Sequence, residues 1–117
     1  MVDDDHSICM ALQRLLRSGG LDVETYSSGE EFLQAVKTSQ FDCVVLDLHM
    51  PHVTGHEVLS RLVELETHIP AVVITGHDTP DARARALSAG AAAYLVKPVD
   101  DLMLLDAIAK ATASVTT

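Results

Sequence analysis

Two stretches of this chain, Cys43-Val-Val-Leu46 and Ala71-Val-Val-Ile74, are unbroken apolar runs rich in β-branched residues. A strand with one wet face alternates apolar and polar residues. An unbroken run belongs instead to a parallel strand that helices cover on both faces. No other feature constrains the fold as much, because parallel neighbours must be joined by long crossovers, usually helical. Shorter segments that read as strands are Met1–Val2, Asp22–Tyr26 and Ala93–Val96.

Between these segments the apolar residues recur with a helical period. Ile8, Leu12, Leu15 and Leu16 share a face in the first helix, which ends near Gly19-Gly20. Phe32, Leu33 and Val36 mark the second, and Val58, Leu59, Leu62 and Val63 the third. Ser28-Gly-Glu-Glu31 and Thr54-Gly-His-Glu57, just ahead of them, have the spacing of a capping box. The fourth starts at Thr79 with Pro80 in the first turn, is rich in alanine and stops at Gly90. Asp100 caps a fifth that carries Leu102, Leu105 and Ile108. The order is β-α five times over, which predicts a parallel sheet with right-handed crossovers and helices on both sides. A length of 117 residues allows one such domain, placed at residues 1–112, with 113–117 a frayed end or the start of a linker.

Composition narrows the partners. Eight basic against seventeen acidic residues leave a net charge of −9 with His neutral. A field of that sign repels phosphate backbones and anionic lipid, so neither nucleic acid nor membrane is an expected direct partner. No apolar run approaches the roughly 18 residues of a membrane span, and no basic-then-apolar leader opens the sequence. An apolar fraction of 48% with 21% charged excludes intrinsic disorder. Cys9 and Cys43 sit in apolar contexts, which points to buried thiols and a cytoplasmic location.

The chemistry collects where strands end. Each strand segment except the second stops at a polar residue: Asp3-Asp4-Asp5, Asp47, Thr75 and Lys97. In a parallel sheet the carboxyl ends share one edge, and ligands bind in the crevice there. Clustered carboxylates repel one another unless a cation sits among them, and oxygen ligands of this kind suit Mg²⁺. A lysine and a hydroxyl nearby would bind an anion beside that metal. Together these groups describe phosphoryl transfer onto an aspartate.

The motifs that carry this chemistry are Val2-Asp-Asp-Asp5, Val44-Val-Leu-Asp-Leu-His-Met-Pro51 with Gly55, Val73-Ile-Thr-Gly76, and Ala89-Gly-Ala followed by Tyr94-Leu-Val-Lys-Pro98. In this order and spacing, the chain resembles the receiver domain of bacterial two-component response regulators over nearly its whole length. Ile74-Thr-Gly-His77 and the short third loop look most like the FixJ-like branch, whose receivers usually precede a DNA-binding output domain. The resemblance implies a flavodoxin-like three-layer α/β sandwich with a five-stranded parallel sheet of order 2-1-3-4-5 and five helices. It implies that Asp47 is the phosphoacceptor, fed by a histidine kinase or phosphotransfer protein. Asp3 and Asp4 would hold Mg²⁺ with Asp47 and the backbone carbonyl of His49. Thr75 would hydrogen-bond the phosphoryl group, Lys97 would pair with it, and Gly76 would leave it room and offer a backbone N–H. Tyr94 would turn inward when Thr75 moves, and Lys97-Pro98 would be a cis peptide. The switched surface, and a homodimer contact, would be the fourth helix, fifth strand and fifth helix. Such a domain is a signalling switch, not an enzyme, limited to taking up and hydrolysing its own phosphoryl group.

Plainer readings stand beside these. A run of three aspartates can be a solvated turn, a lone aspartate after a strand a helix cap, and Tyr94 a core aromatic. His49, His52 and His56 are close enough in sequence to suggest zinc, but zinc wants a fixed tetrahedral set that a loop seldom supplies. His49 and His77 each lie two residues past a site residue, where in this family a ring borders the water path to the acyl phosphate. The alternatives at the level of function are a receiver-like interaction module that works without phosphorylation, and a flavin carrier of the same topology. The complete Asp/Asp/Thr/Lys set weighs against the first, since a degenerate receiver has no need to retain all four. Three aspartates where a flavin phosphate would sit weigh against the second. Finally, Met1–Val2 is short for an internal strand, and the expectation is that residues are missing ahead of it.

Overall fold

The computed structural model describes residues 1–50 and 53–115, with side chains through 112. Pro51 and His52, and with them part of the third motif and of the histidine trio, lie outside the described residues, as do Thr116 and Thr117 of the expected frayed end. The elements in order are α1 (His6–Ser18), α2 (Gly29–Val36), β1 (Val44–Asp47), α3 (Gly55–Glu64), β2 (Ala71–Thr75), α4 (Pro80–Ser88), β3 (Ala93–Val96) and α5 (Asp101–Val115). The last helix continues past residue 112 to Val115.

The sheet is parallel, in the order β1-β2-β3, with Asp47 opposite Ile74 and Thr75 opposite Val96. The expected five-stranded ladder is therefore three strands among the described residues. The segments read as the first and second strands contribute isolated bridges instead: Val2 pairs in parallel with both Tyr26 and Leu46. The cause is local. Two residues, Met1 and Val2, cannot sustain a ladder, and Asp22–Tyr26 has no longer neighbour to pair with. The hydrogen bonds that do form run on both sides of Val2. Its N–H reaches Val45 O at 2.8 Å and its carbonyl accepts from Asp47 N at 3.0 Å, while Asp3 N donates to Tyr26 O at 3.1 Å.

Strand alternation divides the core in two. Val44, Leu46, Ala71 and Val73 face a cluster with Phe32, Val58, Leu59, Leu62 and Ala86, which come from α2, α3 and α4. Val45, Val72 and Ile74 face Cys9, Leu16, Leu104 and Ile108 from α1 and α5. Helices thus cover both faces, as the unbroken apolar runs require.

The helices begin where their caps place them. Asp5 accepts from Ser7 N and Ile8 N, Ser28 from Glu31 N, Thr54 from Glu57 N, and Thr79 from Ala82 N with Pro80 next. Gly55 is fixed by packing: a Cβ there would stand 2.6 Å from Asp47 O and from Leu48 Cα, so only glycine lets α3 start against the end of β1. No helix among the described residues is long and apolar enough to cross a membrane.

Candidate functional site

Four chain segments meet at the carboxyl edge of the sheet. The turn after Val2 brings Asp3 and Asp4, the end of β1 brings Asp47, the end of β2 brings Thr75, and the residue after β3 brings Lys97. Asp3, Asp47 and Thr75 are buried, at 1%, 3% and 0% exposure, and Asp4 is exposed. Asp3, Asp4 and Asp47 each offer an oxygen within 4.8 Å of the others. Lys97 Nζ lies 3.2 Å from Asp3 Oδ2 and 3.6 Å from Asp47 Oδ2. The lysine therefore spans two buried carboxylates in this state.

Backbone donors complete the frame. Asp3 Oδ1 accepts from Asp5 N at 2.9 Å, and Asp47 Oδ1 from His49 N at 3.1 Å. Both bonds tie a carboxylate to the turn that follows it, so each aspartate is held by its own strand end. Burial pushes the Asp47 carboxyl above its ordinary range. The His49 N–H and Lys97 pull it back, while the Asp3 charge raises it further. Three carboxylates, two buried and one exposed, stand together, and the one ammonium beside them pairs with the buried two. That surplus of negative oxygen, with no nitrogen or sulfur ligand, is chemistry suited to a hard divalent cation such as Mg²⁺.

The remaining expected residues surround this cluster rather than join it. Thr75 follows Ile74, the register partner of Asp47, and its hydroxyl accepts from His77 N at 3.0 Å. A Cβ on Gly76 would lie 3.9 Å from Lys97 Cδ, so that residue borders the lysine stem. The Lys97-Pro98 peptide is cis. Tyr94 is buried on the α4 side of the sheet, and its hydroxyl donates to Asp78 Oδ1 at 3.1 Å. Arg83 from α4 lies over the ring, 5.3 Å from its centre. Among the described residues the histidines form no group of three that could hold a metal. His49 and His77 instead pack edge to face, 4.7 Å apart, across the ends of β1 and β2.

Sequence reasoning missed three partners. Asp78 gives no signal of its contact with Tyr94, because the pair is set by the path of the loop before α4. Asp5 caps α1, for which its position just ahead of an apolar helical period was the available clue. Cys9 donates from Sγ to the backbone oxygen of Asp3 at 3.2 Å, under the acidic turn.

The family model of the response regulator receiver domain matches residues 1–109. Nodulation protein W of Bradyrhizobium diazoefficiens is 39% identical over 112 residues, covering 96% of this chain and 49% of its own. Response regulator protein TodT of Pseudomonas putida is 40% identical over 108 residues, 92% of this chain and 48% of its own. The chain thus spans about half the length of these curated relatives. Among solved structures, FixJ-N superposes with a TM-score of 0.90 at 34% identity, over 96% of this chain and 90% of that one. Response regulator StyR gives 0.88 at 40% identity, over 96% and 57%.

Proposed function

The chain belongs to the response regulator receiver family of two-component signal transduction, and from that premise we propose that Asp47 is its phosphoacceptor. The observation that carries the reading is the pairing of one lysine with two buried carboxylates at a strand edge, with a hydroxyl one register step away. Asp47 Oδ would attack the phosphorus of a phosphohistidine on a kinase or phosphotransfer protein. The P–N bond breaks, its electron pair stays on the imidazole, and an acyl phosphate forms on Asp47. Lys97, freed from its ion pair with Asp47, pairs with the new phosphoryl oxygens, and the Thr75 hydroxyl donates to another. Gly76 supplies a backbone N–H in the same place. Mg²⁺ held by Asp3, Asp4, Asp47 and the carbonyl of His49 would neutralise charge on the transferring group.

The acyl phosphate later hydrolyses, so the chemistry serves a switch and not turnover of a substrate. The switch proposed here runs through Thr75 to Tyr94 and on to the face formed by α4, β3 and α5. Leu87, Val96, Leu102 and Met103 are exposed on that face, which supports it as the surface that gains a second copy or an output domain. By likeness to transcriptional regulators such as FixJ of Rhizobium meliloti, a cytoplasmic role in transcription control is the reading proposed for the whole protein. Acetyl phosphate with Mg²⁺ should label Asp47, and Asp47→Asn should lose the label. Labelling that persists in the variant overturns the assignment and favours an interaction module independent of phosphorylation.

A further inference from the structure

The peptide that joins Asp3 to Asp4 carries two of the three clustered carboxylates, so its orientation bears on both at once. Asp3 is held at three points. Its N–H donates to Tyr26 O at 3.1 Å, its Oδ1 accepts from Asp5 N, and its Oδ2 pairs with Lys97. The carbonyl oxygen makes a fourth. Among the described residues its one hydrogen-bond donor is Cys9 Sγ, at 3.2 Å. The thiol comes from the first turn of α1, where Cys9 N also donates to Asp5 O at 3.0 Å. The helix that follows the acidic turn thus reaches back beneath it.

Both partners are sealed from water, with Cys9 at 4% exposure and Asp3 at 1%. Burial pushes the Cys9 thiol above its ordinary range, so the proton that it donates stays in place. A buried carbonyl that loses its donor finds no water to replace it and must turn to be satisfied. Turning it changes ψ of Asp3 and φ of Asp4, the soft dihedrals that set the relative aim of the two side chains. The Asp3 carboxylate has Asp5 N and Lys97 to resist that change. The Asp4 carboxylate is exposed and has no hydrogen bond or ion pair among the described residues, so its backbone alone aims it.

We propose that Cys9 is a positioning residue for the cation site: its thiol fixes the Asp3–Asp4 peptide and, through it, the aim of the Asp4 carboxylate. The proposal rests on the reading of Asp3, Asp4 and Asp47 as Mg²⁺ ligands. Cys9 also packs in the cluster of Leu16, Val45, Leu104 and Ile108, so its bulk and its donor must be told apart. Valine keeps much of the bulk without a donor, alanine keeps neither, and serine keeps a donor.

Mg²⁺ titrations followed by amide NMR shifts, well below each melting temperature, compare the parent with these three variants and with Asp4→Ala. Affinity should sort by the donor and not by bulk. Cys9→Val and Cys9→Ala should each bind about tenfold more weakly, the lower end of what losing a supporting hydrogen bond does to a metal site. Cys9→Ser should stay near the parent. Cys9→Val binding as tightly as the parent, or Cys9→Ser as weakly as Cys9→Ala, overturns the proposal. Asp4→Ala separates the two levels. If it loses Mg²⁺ while Cys9→Val does not, the cation site stands and only the thiol's part falls. If Asp4→Ala binds like the parent, the cation reading falls and the proposal with it.

Discussion

The two ends of β1 are built to different standards. At Asp47 the strand is bonded on both sides, its terminal side chain is buried and tied to the next turn, and a lysine arrives from β3 to meet it. At Val44 and Val45, three and two residues away, one side pairs with β2, while Val45, though its carbonyl accepts from Val2 N, lines a large cavity together with Cys43. The same strand thus passes from a region where polar groups are over-determined to one where apolar walls lack filling. The contrast follows from what each end must do. Carboxylates held near one another need rigid positions, or their repulsion moves them apart. The amino end needs only volume, and nothing polar there depends on its exact filling.

The largest effect that could break this comparison is on stability. Ile74 and Ile108 belong to the same cluster, at 1% and 6% exposure, but only Ile108 lines the cavity. Ile74→Ala should destabilise by about 2–5 kcal/mol, because its neighbours are packed on every side. Ile108→Ala should cost at least about 1 kcal/mol less, since it widens a void that already exists. Urea unfolding of both variants measures the difference. Equal losses would mean the amino end is as tightly packed as the site.

A second effect sharpens the polar end. Mg²⁺ should raise the melting temperature of the parent, because it binds the folded carboxylates preferentially. The rise should largely vanish in Asp4→Ala, which removes the exposed member of the set. Equal rises in the two proteins would place the metal elsewhere. Without Mg²⁺, Asp47→Asn should itself melt higher than the parent. The sign follows from the raised Asp47 pKa. The folded state favours the protonated carboxyl, so ionisation costs stability above the elevated pKa, and that cost fades as pH falls toward the ordinary carboxylate range. Melting curves against pH should show the two proteins converging in acid. A constant gap would assign the gain to something other than charge.

What could be read from the sequence divides along the same line. Asp47, Thr75 and Lys97 were legible because each closes an apolar strand segment, and parallel topology puts such ends on one edge. Asp3 and Asp4 were legible as acidic residues in that place, but not the split that buries one and exposes the other. The cis Lys97-Pro98 peptide was implied by family likeness alone. At the other end, the β-branched content of Asp22–Tyr26 read as a strand, yet a strand exists only where a neighbour of matching length can bond it. Cys43 was expected to be buried and is half-buried, because the space beside it is the cavity. Side-chain pairs across loops, such as His49 with His77, depend on backbone paths that no local pattern encodes.

The smallest effect tests whether the site's order extends to the surface it is proposed to switch. Tyr94 is buried, yet its hydroxyl reaches Asp78 in the loop that follows β2, three residues beyond Thr75. Arg83 covers the ring from α4. Asp78 and Arg83 thus hold the ring from two elements that would move with Thr75. Removing the hydroxyl in Tyr94→Phe, or its acceptor in Asp78→Ala, should each cost about 0.5–1.5 kcal/mol, the usual range for such a bond. In a double-mutant cycle the two losses should not add, since each breaks the same contact. If phosphoryl transfer to Asp47 draws Thr75 inward and releases this bond, the coupling measured with acetyl phosphate and Mg²⁺ present should fall toward zero. A coupling energy unchanged by phosphorylation would confine the ordered region to the carboxylate cluster and leave the α4–β3–α5 face outside the switch.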